Sequence, residues 1–216
     1  MDLGRAFAFV FDDPDWLRKV GLNALIALIP IIGPLYLLGW GLEVAKRVAA
    51  RGLEPLPDID FGTYLVHGFR AFVVSLVYTA PLWISNIVAA ILFSAVREVG
   101  QGPTNALVGI GTACGGLLVL IFLMLLALVL PAAMTRSAVF GSIEAGLHFR
   151  AVWGMVRAAP GAYIVAFIAS LLTGFAAAFL GGLACGIGII FTMAYYQVIS
   201  GHLYGQAYLA GAPGSL

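Results

Sequence analysis

The chain has 216 residues, 62% of them hydrophobic and only 10% charged, with mean hydropathy +1.04 and a net charge of +1. A soluble domain is about 45–50% apolar and about 25% charged, so the composition excludes an ordinary soluble globule. The near-neutral balance makes no case for nucleic acid as a partner.

Residues 71–96 carry no charge, nor do 99–135, nor does anything after Arg157. Uncharged apolar runs of roughly twenty residues mark membrane spans, so the expected class is an all-α integral membrane protein. The opening "MDLGRAFAFVFDDPDWLRKV" is not read as a signal peptide, because its short apolar core runs into aspartates rather than a small-residue cleavage site.

In chain order, "DDPDW" predicts a helix start with Asp13 as N-cap and Pro14 at the first helical position. The run that follows is broken by Pro30 and Pro34 around Gly33. The limbs on either side, Lys19 to the break and the break to Lys46, are each about a dozen residues. At about 1.5 Å per residue each reaches only about 18 Å, just over half of a core about 30 Å thick. Such limbs predict a re-entrant (or short two-span) hairpin with its tip at membrane depth, buried against the full spans. Gly33 is expected to permit the reversal, and Pro34 to sit in the first turn of the second limb.

Asp60, Thr104 and Ser142 are expected to cap further helices, and "FLGGLACGIGII" at 179–190 reads as a turn between two apolar runs. Four full spans follow, at 72–96, 106–131, 160–180 and 188–206. The chain then reads as one membrane domain over 1–216: an interfacial helix with the broken hairpin (14–50), a second hairpin (61–131) and a third (142–206).

Charge sets the orientation. With residues 20–45 as a hairpin, ten of the eleven basic residues fall on one side and only Arg97 opposite; a single crossing gives seven against four. The positive-inside rule favours the first arrangement and places both termini in the cytoplasm, with the chain in the plasma or inner membrane. "RAF" at Arg5–Phe7, "RAF" at Arg70–Phe72 and "RAV" at Arg150–Val152 each precede a hairpin. A threefold repeat of interfacial helix plus hairpin would explain them, and so would arginine anchoring at membrane edges.

Ala162, Ala166, Ser170, Gly174, Ala178, Gly182 and Gly186 form an every-fourth-residue run of small side chains, with Gly111 and Gly115 as a shorter instance. Small-xxx-small spacing lets helices approach closely in lipid. The expected use is contact between those two spans, with a homo-oligomer seam as the alternative.

Candidate chemistry is sparse. Glu43 with Arg47 four residues later makes a favourably oriented helical ion pair. Asn23, Asn86 and Gln197 read as interhelical hydrogen-bonding groups, and His67, His148 and His202 as interfacial ones rather than ligands of a cofactor. Cys114 and Cys185 are read as small packing residues, with pairing on an oxidising side the alternative. No nucleophile–base pair, paired carboxylates or phosphate loop emerges, and "GIGTACGG" at 109–116 lacks the lysine and Ser/Thr a phosphate loop needs. No catalytic, cofactor or metal residue is therefore expected.

"FDDPDWLRKVGLNALIALIPIIGPLYLLGWGLEVAKRV", "DFGTYLVHGFRAF" and "YYQVISGHLYGQAY" resemble the bacterial and archaeal membrane family catalogued as domain of unknown function 4013. The resemblance implies fold and location and no activity. The expected function is a non-enzymatic scaffold, assembly factor or accessory subunit, with the bilayer and another membrane protein or itself as partners. A transporter or channel-like protein for a small or lipidic solute is the alternative.

Overall fold

The computed structural model describes residues 1–52, 56–98, 104–183 and 187–212. Within them the chain forms nine α-helices and one short 3-10 turn, with no strand. Three helices are long and apolar enough to cross a membrane: residues Phe61–Leu92, Gly111–Phe140 and Pro160–Leu183.

The N-terminal α1 (Leu3–Ala8) is capped by Asp2, whose side chain accepts from the Arg5 N–H. It lies on the last helix, α9 (Ile187–Gly211), held by a reciprocal pair of bonds between Asp2 and Gln206. The helix α2 (Trp16–Ile26) starts two residues later than Asp13 would have placed it. The reason is that Asp13 is used elsewhere. Its Oδ1 accepts from the Asp15 N–H, while its Oδ2 takes the Lys19 ammonium at 2.8 Å and the Leu56 N–H at 3.2 Å.

After α2 the chain breaks, and α3 (Ile32–Ala49) begins. Pro34 falls in its first turn, where its missing N–H leaves no bond unmade. The reversal falls at Ile31, not Gly33. Ile31 has φ 68°, and the Ile32 N–H closes a three-residue turn onto the Pro30 carbonyl at 2.7 Å. Gly33 serves a different need, because a Cβ there would come within 2.4 Å of the Ala27 carbonyl oxygen. The turn at Ile31 thus brings the start of α3 back onto the end of α2. Higher up, the Tyr36 hydroxyl donates to Asn23 Oδ1 at 2.5 Å, with Asn23 fully buried.

The tip itself is exposed, contrary to expectation: Leu28, Ile29 and Ile32 are open and Ile31 is 80% accessible. The break can stand open because most of its donors are satisfied locally, the Ile31 N–H excepted. Leu28, Ile29, Ile32 and Gly33 all donate to carbonyls within it, and the prolines have no N–H to satisfy.

The helix α4 (Phe61–Glu98) is a single rod of 38 residues, about 57 Å long. Asp60 caps it as expected, through the Thr63 N–H and hydroxyl. The helix α5 (Thr104–Phe140) likewise runs on through Pro131 instead of stopping there, carrying Arg136. The Thr104 side chain and Cys185 lie outside the described residues. Ser142 caps the short α6 (Ile143–Leu147), accepting from the Ala145 N–H. Then come α7 (Phe149–Ala158) and α8 (Pro160–Leu183). The three arginine motifs therefore occupy unlike settings: Arg5 in a short cap helix, Arg70 inside the 38-residue rod, and Arg150 in a separate helix.

The centre of the molecule is α3, packed between α4 and α9. Two glycine seams grip it. On the α4 side, a Cβ at Gly39 would lie 1.7 Å from the Tyr64 carbonyl oxygen, and one at Gly68 would lie 1.8 Å from that of Leu35. On the α9 side, a Cβ at Gly201 would lie 2.0 Å from the Gly41 carbonyl oxygen. Trp40, Tyr36, Val44, Ala194 and Val198 fill the core beside these seams.

The small-residue run of α8 packs on α9, not on α5 as expected. Ala166 and Ser170 are buried, and a Cβ at Gly174 would meet the Tyr196 ring at 3.1 Å. Beyond that the seam passes to Ala177 and Gly181, while Ala178 and Gly182 are exposed. A four-residue step advances about 40° around a helix, so a straight row of fours rotates off its partner within three or four members. Gly186 lies outside the described residues, and Gly111 and Gly115 face open space.

Candidate functional site

Two places concentrate what this chain could use: a charged node on α3 and α4, and a cleft between the outer halves of α4 and α5. The node is built around Glu43, whose side chain is 13% accessible. Arg47 lies 3.4 Å from its Oε1, as the i, i+4 spacing predicts. Two further neighbours were not anticipated: the Lys46 ammonium, its Nζ 3.6 Å from Oε2, and the His67 imidazole on α4, its Nδ1 3.4 Å from Oε2. His67 is 7% accessible. The glycine seam that lets α3 and α4 touch also brings this carboxylate and imidazole together. A carboxylate this buried requires partners of opposite charge, and Lys46 and Arg47 of α3 supply them. His67 brings α4 against this node, but neither its Nδ1 nor Glu43 Oε2 makes a hydrogen bond.

A second charged group ties the start of α2 to the segment after α3. Lys19 pairs with Asp13 at 2.8 Å and with Asp58 at 2.9 Å, and donates to the Leu56 carbonyl at 3.0 Å. Burial alone would raise the pKa of Asp13. The hydrogen bonds from Lys19, Asp15 and Leu56 and the charge of Lys19 outweigh it and hold the carboxyl below its ordinary 3.8.

The three histidines have separate partners. His67 faces Glu43, the exposed His148 shares a 3.0 Å contact from Nδ1 to the Glu144 carbonyl, and His202 lies 3.0 Å from Gln206 Nε2 with its ring against Phe9. Among the described residues no group of three His, Cys, Asp or Glu side chains could hold a metal ion. Asn23 makes the interhelical bond expected of it. Asn86 does not: it is exposed, and its Nδ2 donates to the Leu82 carbonyl on its own helix. Cys114 is free and exposed on α5, so packing does not explain it.

The cleft encloses about 1010 Å³ between Pro81–Leu92 on α4 and Gly111–Leu125 on α5. Ser85, Asn86 and Thr112 are its few polar groups, and Gly111, Gly115 and Gly116 form its floor, with nothing within 4 Å of an added Cβ at any of them. Ile84, Ile87, Ile91, Leu117, Leu118 and Met124 are exposed around it. The space can accept an apolar helix or acyl chains, and it offers no charge with which to bind an ionic ligand. The glycine motif was legible in the sequence. Its vacancy was not, because spacing says nothing about whether a partner backbone is delivered.

No curated protein and no solved structure gives a significant match to this chain. A family model described as protein of unknown function (DUF4013) matches residues 22–186, and the chain belongs to that family.

Proposed function

We propose that this chain is a non-enzymatic integral membrane protein that acts as a scaffold, assembly factor or accessory subunit, receiving a partner's transmembrane helix in the α4–α5 cleft. In this reading α4, α5, α8 and α9 cross the plasma or inner membrane, and α2–α3 is a re-entrant hairpin. Both termini are cytoplasmic. The helix α9 falls outside the three most span-like stretches, and it is also the helix that packs most extensively on others, with Ser200 and His202 buried.

One observation supports the docking role above the others. The outer halves of α4 and α5 expose apolar residues on every side, yet carry an open glycine floor with Ser85 and Asn86 beside it. Small residues let helices meet in lipid, and uncharged polar groups add interhelical bonds. Here the glycines face open space, while Ser85 and Asn86 beside them donate to the Leu82 carbonyl of their own helix. Glu43, the one acid of α3, is engaged by Lys46 and Arg47 at its node, away from the cleft, so it does not offer that cleft an ionisable group for a coupled transport cycle.

The cleft also supports a second reading, transport or shielding of a lipidic solute, since it opens sideways to the surrounding phase. A photo-crosslinker at Leu118, used in native membranes, separates the two. An adduct of one discrete protein mass supports docking; adducts to lipid alone support the second reading. Topology is tested with Cys114 and Cys185 replaced. A single cysteine at position 101 should react with a membrane-impermeant reagent outside intact cells, and one at 51 should not.

A further inference from the structure

We propose that the outward face of α7 binds the headgroups of anionic phospholipids. This rests on the reading above that α4 and α8 cross a bilayer. The helix α7 has two distinct sides. Val152, Met155 and Val156 are buried in the body and Arg150 and Arg157 are exposed on the far side, while Phe149, exposed, and Trp153, half-buried and packed on the core, lie on the flank between them.

Phe149, Trp153 and Arg157 recur every fourth residue and stack into a ladder. The two rings lie 6.3 Å apart and are nearly parallel at 7°, and the Arg157 guanidinium sits 5.1 Å from the Trp153 centroid. Arg150 stands next to Phe149 at the other end. A cation held over an indole face keeps its edge N–H groups free to meet a phosphodiester. Phe149 is 60% exposed, so the ladder presents apolar surface to whatever covers it.

Position and charge both point to the lipid interface. The Phe149 ring lies 6.3 Å from Tyr78 of α4, whose hydroxyl donates to the Gly146 carbonyl at 3.0 Å. At the other end, α8 begins three residues after Arg157. The helix is thus moored at both ends to rods able to cross a membrane, and its C-terminal end adjoins the first residue of α8. Among the described residues no carboxylate lies within ion-pair distance of Arg150 or Arg157, as is also true of Arg18, Arg51 and Arg70; what sets the α7 pair apart is the aromatic ladder beside them. Glu144, the nearest acid in sequence, forms no ion pair with either. Aromatic rings with unpaired arginines at an interface fit a negatively charged headgroup layer.

The test uses the purified full chain in neutral detergent, titrated with phosphatidylglycerol or phosphatidylcholine while the thermal unfolding midpoint is followed. Phosphatidylglycerol should raise the midpoint, and neither phosphatidylcholine nor inorganic phosphate should. The Arg150→Gln/Arg157→Gln variant should unfold at the parent's midpoint without lipid and need about 30-fold more phosphatidylglycerol for the same rise, at the strength expected per basic residue near an anionic surface. Arg150→Lys/Arg157→Lys should keep most of the response, and a charge-matched Arg18→Gln/Arg51→Gln control all of it. An unchanged response in the double Gln variant, or equal effects of phosphatidylcholine or phosphate, would overturn the proposal. A carbonate wash keeps the two readings separable: release from membranes would defeat the spanning reading, whereas retention without a lipid response defeats only the role of α7.

Discussion

The helix α3 and the outer half of α5 are both glycine-bearing apolar segments, and they end in opposite circumstances. In α3, Gly39 and Gly41 stand against the backbones of α4 and α9 so closely that no Cβ fits at Gly39. In α5, Gly111, Gly115 and Gly116 have open space before them. The difference does not lie in the glycines. The helix α3 enters between two rods that the fold has already placed, whereas the described stretch of α5 before Leu125 faces α4 across an open cleft. A small residue permits close approach, and topology decides whether any backbone arrives.

The largest effect should come from closing the α3 seam. Gly39→Leu puts a branched side chain where even a Cβ would meet the Tyr64 carbonyl oxygen at 1.7 Å, and backbone cannot yield as a side chain can. We expect no monodisperse protein in detergent, while the exposed Leu120→Ala behaves like the parent. Gel filtration of the two variants side by side checks this. Gly174→Leu should be intermediate, because its obstacle is the Tyr196 ring, which can rotate away.

Much of the α3 surroundings could be read from residue order alone. Pro30 and Pro34 marked the break, Asp60 and Ser142 marked helix starts, and the Glu43–Arg47 pair followed from helical spacing. What escaped was long-range. Nothing local tells Asp13 to accept from Leu56, or Glu43 to meet His67, since those distances are fixed by how helices cross. The Ile31 turn escaped for another reason: a positive φ at a β-branched residue runs against intrinsic preference, so local rules assigned it to glycine. Gly201 and Gly205 form a small-xxx-small pair on α9, and an added Cβ would meet the Gly41 carbonyl oxygen at 2.0 Å and that of Ala45 at 2.7 Å, but spacing alone does not distinguish this pair from the longer run on α8.

The next effect belongs to Asp13, 3% exposed at its side chain. Asp13→Asn removes the charge that Lys19 and two backbone N–H groups address, and should cost about 2 kcal/mol, the range for hydrogen bonds to a charged group. The sign of the pH dependence follows from the depressed pKa. A carboxyl that is more acidic folded than unfolded stabilises fully above its unfolded value of 3.8, and that stability is lost as pH falls through the folded value. Unfolding midpoints measured from pH 6 down to pH 3 should fall more steeply for the parent than for Asp13→Asn.

Smaller again is Tyr36→Phe. It deletes the hydroxyl that donates to Asn23 and leaves a buried amide oxygen without that donor. The ring itself stays packed against Phe61 and Tyr64. A loss of about 1 kcal/mol is expected in denaturant titration, and Asn23→Ala added to it should cost little more, because the pair acts as one unit. Full additivity of the two changes would show that the hydroxyl bond does not hold the hairpin limbs together.

The smallest effect should be on the other side of the comparison. Gly111→Ala/Gly115→Ala/Gly116→Ala adds three methyl groups to a floor that touches nothing, so no contact in the body is disturbed. Alanine is also the better helix former, worth up to about 1 kcal/mol per exposed site, so the isolated protein should be as stable as the parent or slightly more so. Function should respond in the opposite direction. If the cleft receives a partner helix, three methyls lift that helix off the floor and cost the close approach that glycine allows. The protein-mass adduct from a crosslinker at Leu118 should then weaken or vanish in the triple variant, while thermal stability in detergent stays level. A stable variant that keeps the adduct would place the partner elsewhere on the exposed rods, and a destabilised one would mean that the floor is already in use inside the molecule.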